Sequence, residues 1–384
     1  MSATANTARD PAQFLLLSGL LTLPFQFIQF GPAQLSQLWA LLALVLVIQQ
    51  GMLKPRLVEV LCYALFLAVA LSLTYASGYE RVKALEQVIK FAAVYPAFYM
   101  VGRALGEHYR IRVLPFGYIF LLVLLTFEFG TQYFQLPFIH QHVPFMQGAL
   151  HGTFKERNWL AIFFFLCGYL LFLQSDRGRR SASLFVALCV AVALLSESKT
   201  ILIPCGVVLL LNFRGNAVLK TLAIGAGAAL FYYRFGAELS GDQLRVRLED
   251  ERGLAFAQAI DLILRDPLGY GFGFVESHFS SSWITVKGLG AGTNSIFSSP
   301  LDLFLIAGVI GLGMWLVLFA GVGLGLRVMS LLAPVALWSL VNPLHQSEIV
   351  YLFLGLLVSF GLARRAEQQG VSVGQRETCV GGVT

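Results

Sequence analysis

Charge is scarce in this chain. Of its 384 residues only 12% are Asp, Glu, Lys or Arg, while 57% are hydrophobic and Phe alone contributes 32. A mean hydropathy of +0.73 excludes an ordinary soluble domain, in which about a quarter of residues are charged. Cysteine is equally uninformative as chemistry: Cys62, Cys167, Cys189, Cys205 and Cys379 have neither disulfide nor metal spacing, so they read as small apolar residues. No His-x-Glu or His-x₃-His spacing occurs, so neither a metal nor another cofactor is expected. The loops hold no P-loop and no nucleophile elbow, which argues against ATP-driven pumping and acyl-serine chemistry. A net charge of +6 without a soluble basic domain gives a nucleic acid nowhere to dock. The first apolar stretch lacks a basic n-region and a small-residue cleavage site, so it does not read as a cleavable signal. No internal repeat aligns.

What the chain does have is long apolar runs. Each bilayer crossing takes about 20 mostly apolar residues. Runs at 13–30, 35–52, 57–77, 86–105, 112–131, 159–175, 182–197, 200–213, 219–233, 297–324, 328–342 and 348–363 predict an all-α integral membrane protein with about twelve transmembrane helices. The short pairs 182–197/200–213 and 328–342/348–363 leave room for broken or tilted helices. With the N-terminus inside, the cytoplasmic junctions carry Lys54 and Arg56; Arg103, Arg110 and Arg112; Arg177, Arg179 and Arg180; Arg214 and Lys220; Arg327; and Arg364 and Arg365. Each is short and basic, as the positive-inside rule requires; Arg81 and Lys83, on the opposite face, run against it. The expected organisation is a cytoplasmic tail 1–12, a membrane domain 13–365 with an outer loop 234–296, and a disordered cytoplasmic tail 366–384. Within the last third, Gly308–Gly325 offers small faces for close helix packing.

The loop 234–296 is the one long polar stretch. Inside it, Arg252–Arg265 predicts an amphipathic helix, with Phe256, Ile260, Ile263 and Leu264 at helical spacing. Glu249, Asp250 and Glu251 suit its N-terminus, and Asp266-Pro267 stops it. Gly269, Gly271 and Gly273 then permit tight turns or close approach to a ligand. A helix lying on the membrane surface, apolar face down, is the alternative to a site.

The outer junctions also carry cations. Lys199, in Ser196-Glu-Ser-Lys-Thr200, is either part of a solvated turn or faces a cavity shared with the loop. Lys155 and Arg157, at the head of another span, either snorkel to lipid phosphates or meet an anionic substrate. Together with Arg245, Arg247, Arg252 and Arg265 they form a set suited to phosphate oxygens. A diphosphate held at the membrane surface is the ligand such a set would take. Six histidines, His108, His140, His142, His151, His278 and His345, supply general bases in principle.

These segments resemble the superfamily of O-antigen ligases and Wzy-type polysaccharide polymerases, over roughly residues 148 to 363. Gly152-Thr-Phe-x₃-Asn158 is similar to the family's entry into a span, and Ser196-x-Ser198-Lys199-Thr200 stands where the family has a Ser-Arg turn. Arg252-x₃-Phe256, followed by Pro267-Leu268-x-Tyr270-Gly271-x-Gly273, resembles its Arg-x₃-Trp helix and Gly-rich exit. Thr293-Asn294-Ser295 with Leu301, Gly308 and Gly311 is similar to its His-Asn entry into a Gly-rich helix. The chain departs at two positions: Thr293 replaces the ligases' histidine, and Lys199 replaces the turn arginine. Both departures favour a polymerase over a ligase.

The resemblance implies a metal-independent glycosyltransferase of the bacterial inner membrane. It would polymerise lipid-linked repeat units of exopolysaccharide, capsule or O-antigen, with undecaprenyl-diphosphate-linked oligosaccharides as donor and acceptor. A chain-length regulator or flippase of the same pathway is the implied protein partner. Arg252, Lys199, His278 and His345 are the expected catalytic residues, with Lys155, Arg157, Lys199, Arg252 and Arg265 on the diphosphate. His278 and His345, both expected to face outward, lead as the base, ahead of Glu276 and Asp302. Ligation of glycan to lipid A core or protein is the alternative, followed by a polysaccharide transporter or flippase, which usually shows two related halves.

Overall fold

A computed structural model of the chain describes residues 11–30, 33–53, 55–77, 81–108, 117–136, 149–213, 225, 251–281 and 296–368. The predicted span 219–233 (apart from Gly225), the loop stretches 234–250 and 282–295, and the tails 1–10 and 369–384 lie outside the described residues. So do His140, His142, Arg245, Arg247, Thr293 and Asn294.

Helices account for nearly all of the rest. They are α1 Pro11–Thr22, α2 Leu35–Gln49, α3 Leu57–Ser77, α4 Arg81–Ile89, α5 Tyr95–His108, α6 Gly117–Tyr133 and α7 Arg157–Gln174. There follow α8 Arg179–Ser196, α9 Leu202–Asn212, α10 Glu251–Arg265, α11 Phe274–Ser281, α12 Ser299–Phe319, α13 Leu326–Trp338 and α14 Glu348–Gln368. A π-helical turn, Lys90–Val94, joins α4 to α5. Five helical stretches are long and apolar enough to cross a membrane: Leu57–Ser77, Val82–Glu107, Arg157–Gln174, Arg179–Ser196 and Ser299–Phe319. Leu35–Gln49, Gly117–Tyr133, Lys199–Asn212, Leu326–Trp338 and Glu348–Ala363 are shorter apolar helices.

Three expectations change. The run 13–30 is not one span: α1 ends at Thr22, ahead of Pro24, and the chain turns into a ribbon in which Gln29 opposes Gln34. Gly308–Gly325 is not a continuous packing face, because Gly308 breaks α12 and Gly321, Gly323 and Gly325 form the left-handed turn after Phe319. Finally, α14 runs on to Gln368, into the tail expected to be disordered.

Burial separates the helices by role. In α7, 78% of the spanning window is buried, against 17% in α3. α7 is therefore interior on every face, while α3 leaves Leu57, Leu61 and Leu65 exposed, as a lipid-facing helix does. The centre is the crossing of α5 and α14. A Cβ on Gly102 would fall inside the carbonyl oxygen of Leu352, and one on Gly355 inside that of Tyr99. Lipid supplies no hydrophobic drive between apolar helices, so small residues that bring backbones into contact do this work. Tyr95 stacks on Tyr351 at 4.7 Å, and Ser359 Oγ donates to the Arg103 carbonyl at 2.9 Å.

The 251–281 segment is packed into the bundle. α12 is interrupted at Ala307 (φ −143°, ψ 28°) and Gly308 (φ 57°, ψ −143°), the latter a conformation only glycine adopts easily. The break frees carbonyls, and the 269–273 turn takes them: Tyr270 N donates to Leu305 O at 2.7 Å and Gly271 N to Ile306 O at 2.9 Å. Phe272 N donates to Thr74 Oγ1 at 2.7 Å, and Gly273 N to Gln87 Oε1 at 2.8 Å. Four successive N–H groups are satisfied in this way, as irregular backbone beside lipid must be. The glycines thus serve backbone-to-backbone packing.

α10 buries only part of its predicted apolar face. Phe256 and Ile263 pack with the buried Ala255, Ala259 and Leu262 against Phe274, Val275, Phe279 and Ile296. Ile260 and Leu264, assigned to the apolar face from spacing, are exposed.

Candidate functional site

α11, the first turn of α12 and the 344–346 turn converge on three buried titratable side chains. Glu276 is 3% exposed, Asp302 1% and His345 0%. The Gln87 amide fixes the first of these: its Nε2 donates to Glu276 Oε1 while its Oε1 accepts from Gly273 N. Glu276 Oε2 has no hydrogen-bond partner among the described residues. Asp302 Oδ1 accepts from Ile296 N at 3.0 Å, and Oδ2 lies 3.6 Å from His345 Nε2, too far for a hydrogen bond.

His345 is held by its backbone and its ring face. Its N–H donates to Ser299 Oγ at 3.2 Å, and that hydroxyl donates to Asn342 O at 2.9 Å. The imidazole stacks on Phe91 at 6.2 Å, and Phe91 in turn packs on Phe272 at 5.4 Å. The glycine turn and the histidine therefore share one aromatic wall.

Burial sets the protonation states. The Glu276 carboxyl is pushed up to about 8, first by desolvation, which its own backbone N–H opposes; the neighbouring Asp302 charge adds to the rise, against Lys83 and Lys90. Desolvation pushes His345 down to about 3, so the ring is neutral at ordinary pH. The close approach of His345 to Asp302 is then a neutral ring beside a carboxylate rather than an ion pair. No cluster of three His, Cys, Asp or Glu side chains among the described residues has the arrangement of a metal site.

The expected diphosphate cations divide into groups. Arg157 pairs with Glu197 at 3.2 Å, and Ser198 Oγ donates to Asn158 Oδ1 at 3.0 Å. Leu150 N also donates to Leu195 O at 2.8 Å. The 149–158 junction and the 195–200 turn, far apart in sequence, are thus one surface, with Lys199 exposed on it. Lys155, at the same junction, lies in the field of Lys90, Glu348 and Glu86. Its pKa is lowered by lost hydration and then by Lys90, while Glu348 and Glu86 oppose; more than a third of its surface stays open, so water screens these charges.

Arg265 is placed differently. It is exposed and pairs with Asp261 of its own helix at 2.6 Å, where Leu264 and Leu268 are exposed beside it. Arg252 lies in the first turn of α10, and its side chain is outside the described residues. His278 is half-buried, stacked on Phe274 at 5.0 Å and 2.8 Å from Gln258 Nε2; burial lowers its pKa. His345, expected to face outward, is enclosed.

Several contributors were not singled out from the sequence. Glu128 of α6 accepts from Thr153 N at 2.6 Å and Thr153 Oγ1 at 2.8 Å. Gln132 Oε1 accepts from His151 N and Gly152 N, so α6 clamps the turn that presents Lys155 and Arg157. Glu348 accepts from Ser36 at 2.9 Å and Gln37 at 2.5 Å. Lys90, Glu128 and Glu348 do carry a sequence signal, since ionisable residues in or beside apolar spans are costly and tend to act. Lys83 carries another, as an exception to the positive-inside rule. No protein-family model matches the chain, and no curated protein matches it.

Proposed function

We propose that the chain is a membrane glycosyltransferase that polymerises lipid-linked polysaccharide repeat units at the periplasmic face of a bacterial inner membrane. An even number of spans with the N-terminus inside would place both termini in the cytoplasm and the 234–296 loop outside. An acceptor-sugar hydroxyl attacks the anomeric carbon of a glycan carried on undecaprenyl diphosphate. The new glycosidic C–O bond forms, the bond to the diphosphate breaks with its electron pair, and a base takes the hydroxyl proton. The chain must therefore hold an anionic leaving group with fixed cations and accept one proton.

The observation that supports this reading is the joined outer surface. The 152–158 and 196–200 segments, which carry the resemblance independently, are bonded to each other through Arg157–Glu197 and Ser198–Asn158. At the same junction Lys155 lies in the field of Lys90, Glu348 and Glu86. Lys155, Arg157, Lys199, Arg252 and Arg265 remain the proposed diphosphate ligands. The break in α12 lends the transporter alternative no support, because its freed carbonyls are taken by Tyr270 and Gly271 rather than left facing a substrate path.

The test replaces the chain in its host by variants and resolves the polymer by length. Arg252→Ala should abolish long chains at a normal protein level, and Lys199→Arg should retain more polymer than Lys199→Ala. Unchanged length and yield in every cation variant would remove the diphosphate role. Normal chain length with loss of attachment alone would identify a ligase.

A further inference from the structure

We infer that Glu276 is the group that takes the acceptor hydroxyl's proton. The inference rests on the glycosyl-transfer reading and names the base within it. Four candidate bases were open in the sequence, and the structure separates them. His345 has both ring nitrogens without a hydrogen-bond partner among the described residues, yet its complete burial makes protonation too costly. His278 is occupied by Gln258 and stacks on the Phe274 ring. Asp302 spends Oδ1 on the Ile296 backbone. Glu276 alone among the four combines a fixed oxygen, Oε1 held by Gln87, with a second oxygen that has no partner among the described residues.

The surroundings suit the task. A buried carboxyl with one free oxygen is an uncommon arrangement, since buried polar atoms are normally paired and each exception calls for a reason. Asp302 on α12 raises Glu276's proton affinity, Lys83 and Lys90 on α4 and its π-turn lower it, and Tyr95 on α5 lies within its field. His345 in the 344–346 turn is neutral, and His278 shares α11 without appearing among the groups that shift Glu276. The carboxylate is thereby poised near the operating pH, where general-base catalysis is most effective. In the step itself, the hydroxyl proton passes to Glu276 Oε2 as the C–O bond forms and the diphosphate departs; the proton is then lost to water.

The experiment uses full-length protein in membranes and, as probe, the lipid-linked oligosaccharide extracted from a strain lacking this chain. Wild-type kcat/KM should rise with pH through about 8, because the base must be deprotonated. Glu276→Gln should lower the rate by about 10²-fold or more, while Glu276→Asp should keep part of it with the rising limb moved to lower pH. Purified protein gives a second readout: the infrared difference between wild type and Glu276→Gln should show a protonated-carboxyl band that disappears across the same pH range. A Glu276→Gln enzyme at the wild-type rate, or a difference spectrum without that band, would overturn the inference alone. A wild-type chain that does not extend the probe overturns the glycosyl-transfer reading and the inference with it.

Discussion

Two buried glutamates, at opposite ends of the α3–α5 pair, are treated in opposite ways. Glu59, near the start of α3, accepts from Tyr99 Oη at 2.9 Å and from Arg103 Nη1 at 3.0 Å, with Arg56 at 3.5 Å. Both of its oxygens are engaged and its charge is matched. At the other end, the one side chain among the described residues that bonds Glu276 is the neutral Gln87 amide, while Lys83 and Lys90 act through space. Burial alone therefore does not mark a site. Glu59 and Arg103 form a neutral joint at the α5–α14 crossing, whereas Glu276 keeps an unspent oxygen and a proton affinity shifted toward neutral pH.

The largest effect should come from breaking the matched joint. Arg103→Met leaves Glu59 buried beside Tyr99 with half-buried Arg56 as its remaining cation, and stranding a buried charge costs about 3–5 kcal/mol. Thermal unfolding in detergent should show the loss, and adding Glu59→Gln should recover much of it. If the single variant melts like wild type, Arg56 already neutralises Glu59 and the contrast with Glu276 collapses.

Next in size is the link between the 269–273 turn and the scaffold. Gly308→Ala forces a side chain into a glycine-only conformation and against the Pro267 carbonyl, at about 1–3 kcal/mol. The damage should be directional. Displacing the 269–273 turn pulls Gly273 from Gln87, and Gln87 from Glu276, so polymerisation should fall further than the melting temperature suggests. The Glu59 joint, which shares no contact with that turn, should be untouched. Equal losses of stability and activity would mean the turn is only a plug.

Residue types were legible in the sequence where their neighbours were not. Apolar runs gave Leu57–Ser77 to the residue, because a span is a matter of length and composition. The same logic failed at 13–30, where Pro24 and a two-strand ribbon interrupt an equally apolar run. On α10 it was half right. A helix beside lipid is apolar toward both protein and bilayer, so spacing picked Phe256 and Ile263, which pack, together with Ile260 and Leu264, which are exposed, and passed over the smaller buried Ala255 and Ala259. Glu276, Asp302 and His345 were all visible as candidates. Their meeting depends on the Tyr270–Leu305 and Gly271–Ile306 bonds, which join segments through a helix break that an unbroken run of apolar letters conceals.

Stability against pH separates the two glutamates without any substrate. Glu276's folded pKa of about 8 lies above the ordinary carboxylate value, so the folded state binds the extra proton. Stability from this group is then present at low pH and falls as pH rises from about 4.5 to about 8. Every tenfold change in proton affinity on folding corresponds to about 1.4 kcal/mol. Glu276→Gln should flatten that slope and melt higher than wild type above pH 8. A variant that melts lower at every pH would assign Glu276 a structural role.

The smallest effect on stability belongs to the surface pair on the cation rim, where function and stability should come apart. Arg157 and Glu197 are 36% and 63% exposed and 3.2 Å from each other. Such a pair contributes about 0–1 kcal/mol, so a double-mutant cycle with Arg157→Ala and Glu197→Ala should return a coupling within that range. On activity the two variants should diverge. Arg157→Ala removes a charge proposed to meet the diphosphate and should raise KM for the lipid-linked donor. Glu197→Ala leaves that charge and withdraws its competitor, so KM should stay the same or fall. High salt should shrink the difference, since exposed charges are screened. If both variants raise KM alike, the pair serves to join the 149–158 and 195–200 segments, and the leaving group is held by Lys155 and Lys199 without it.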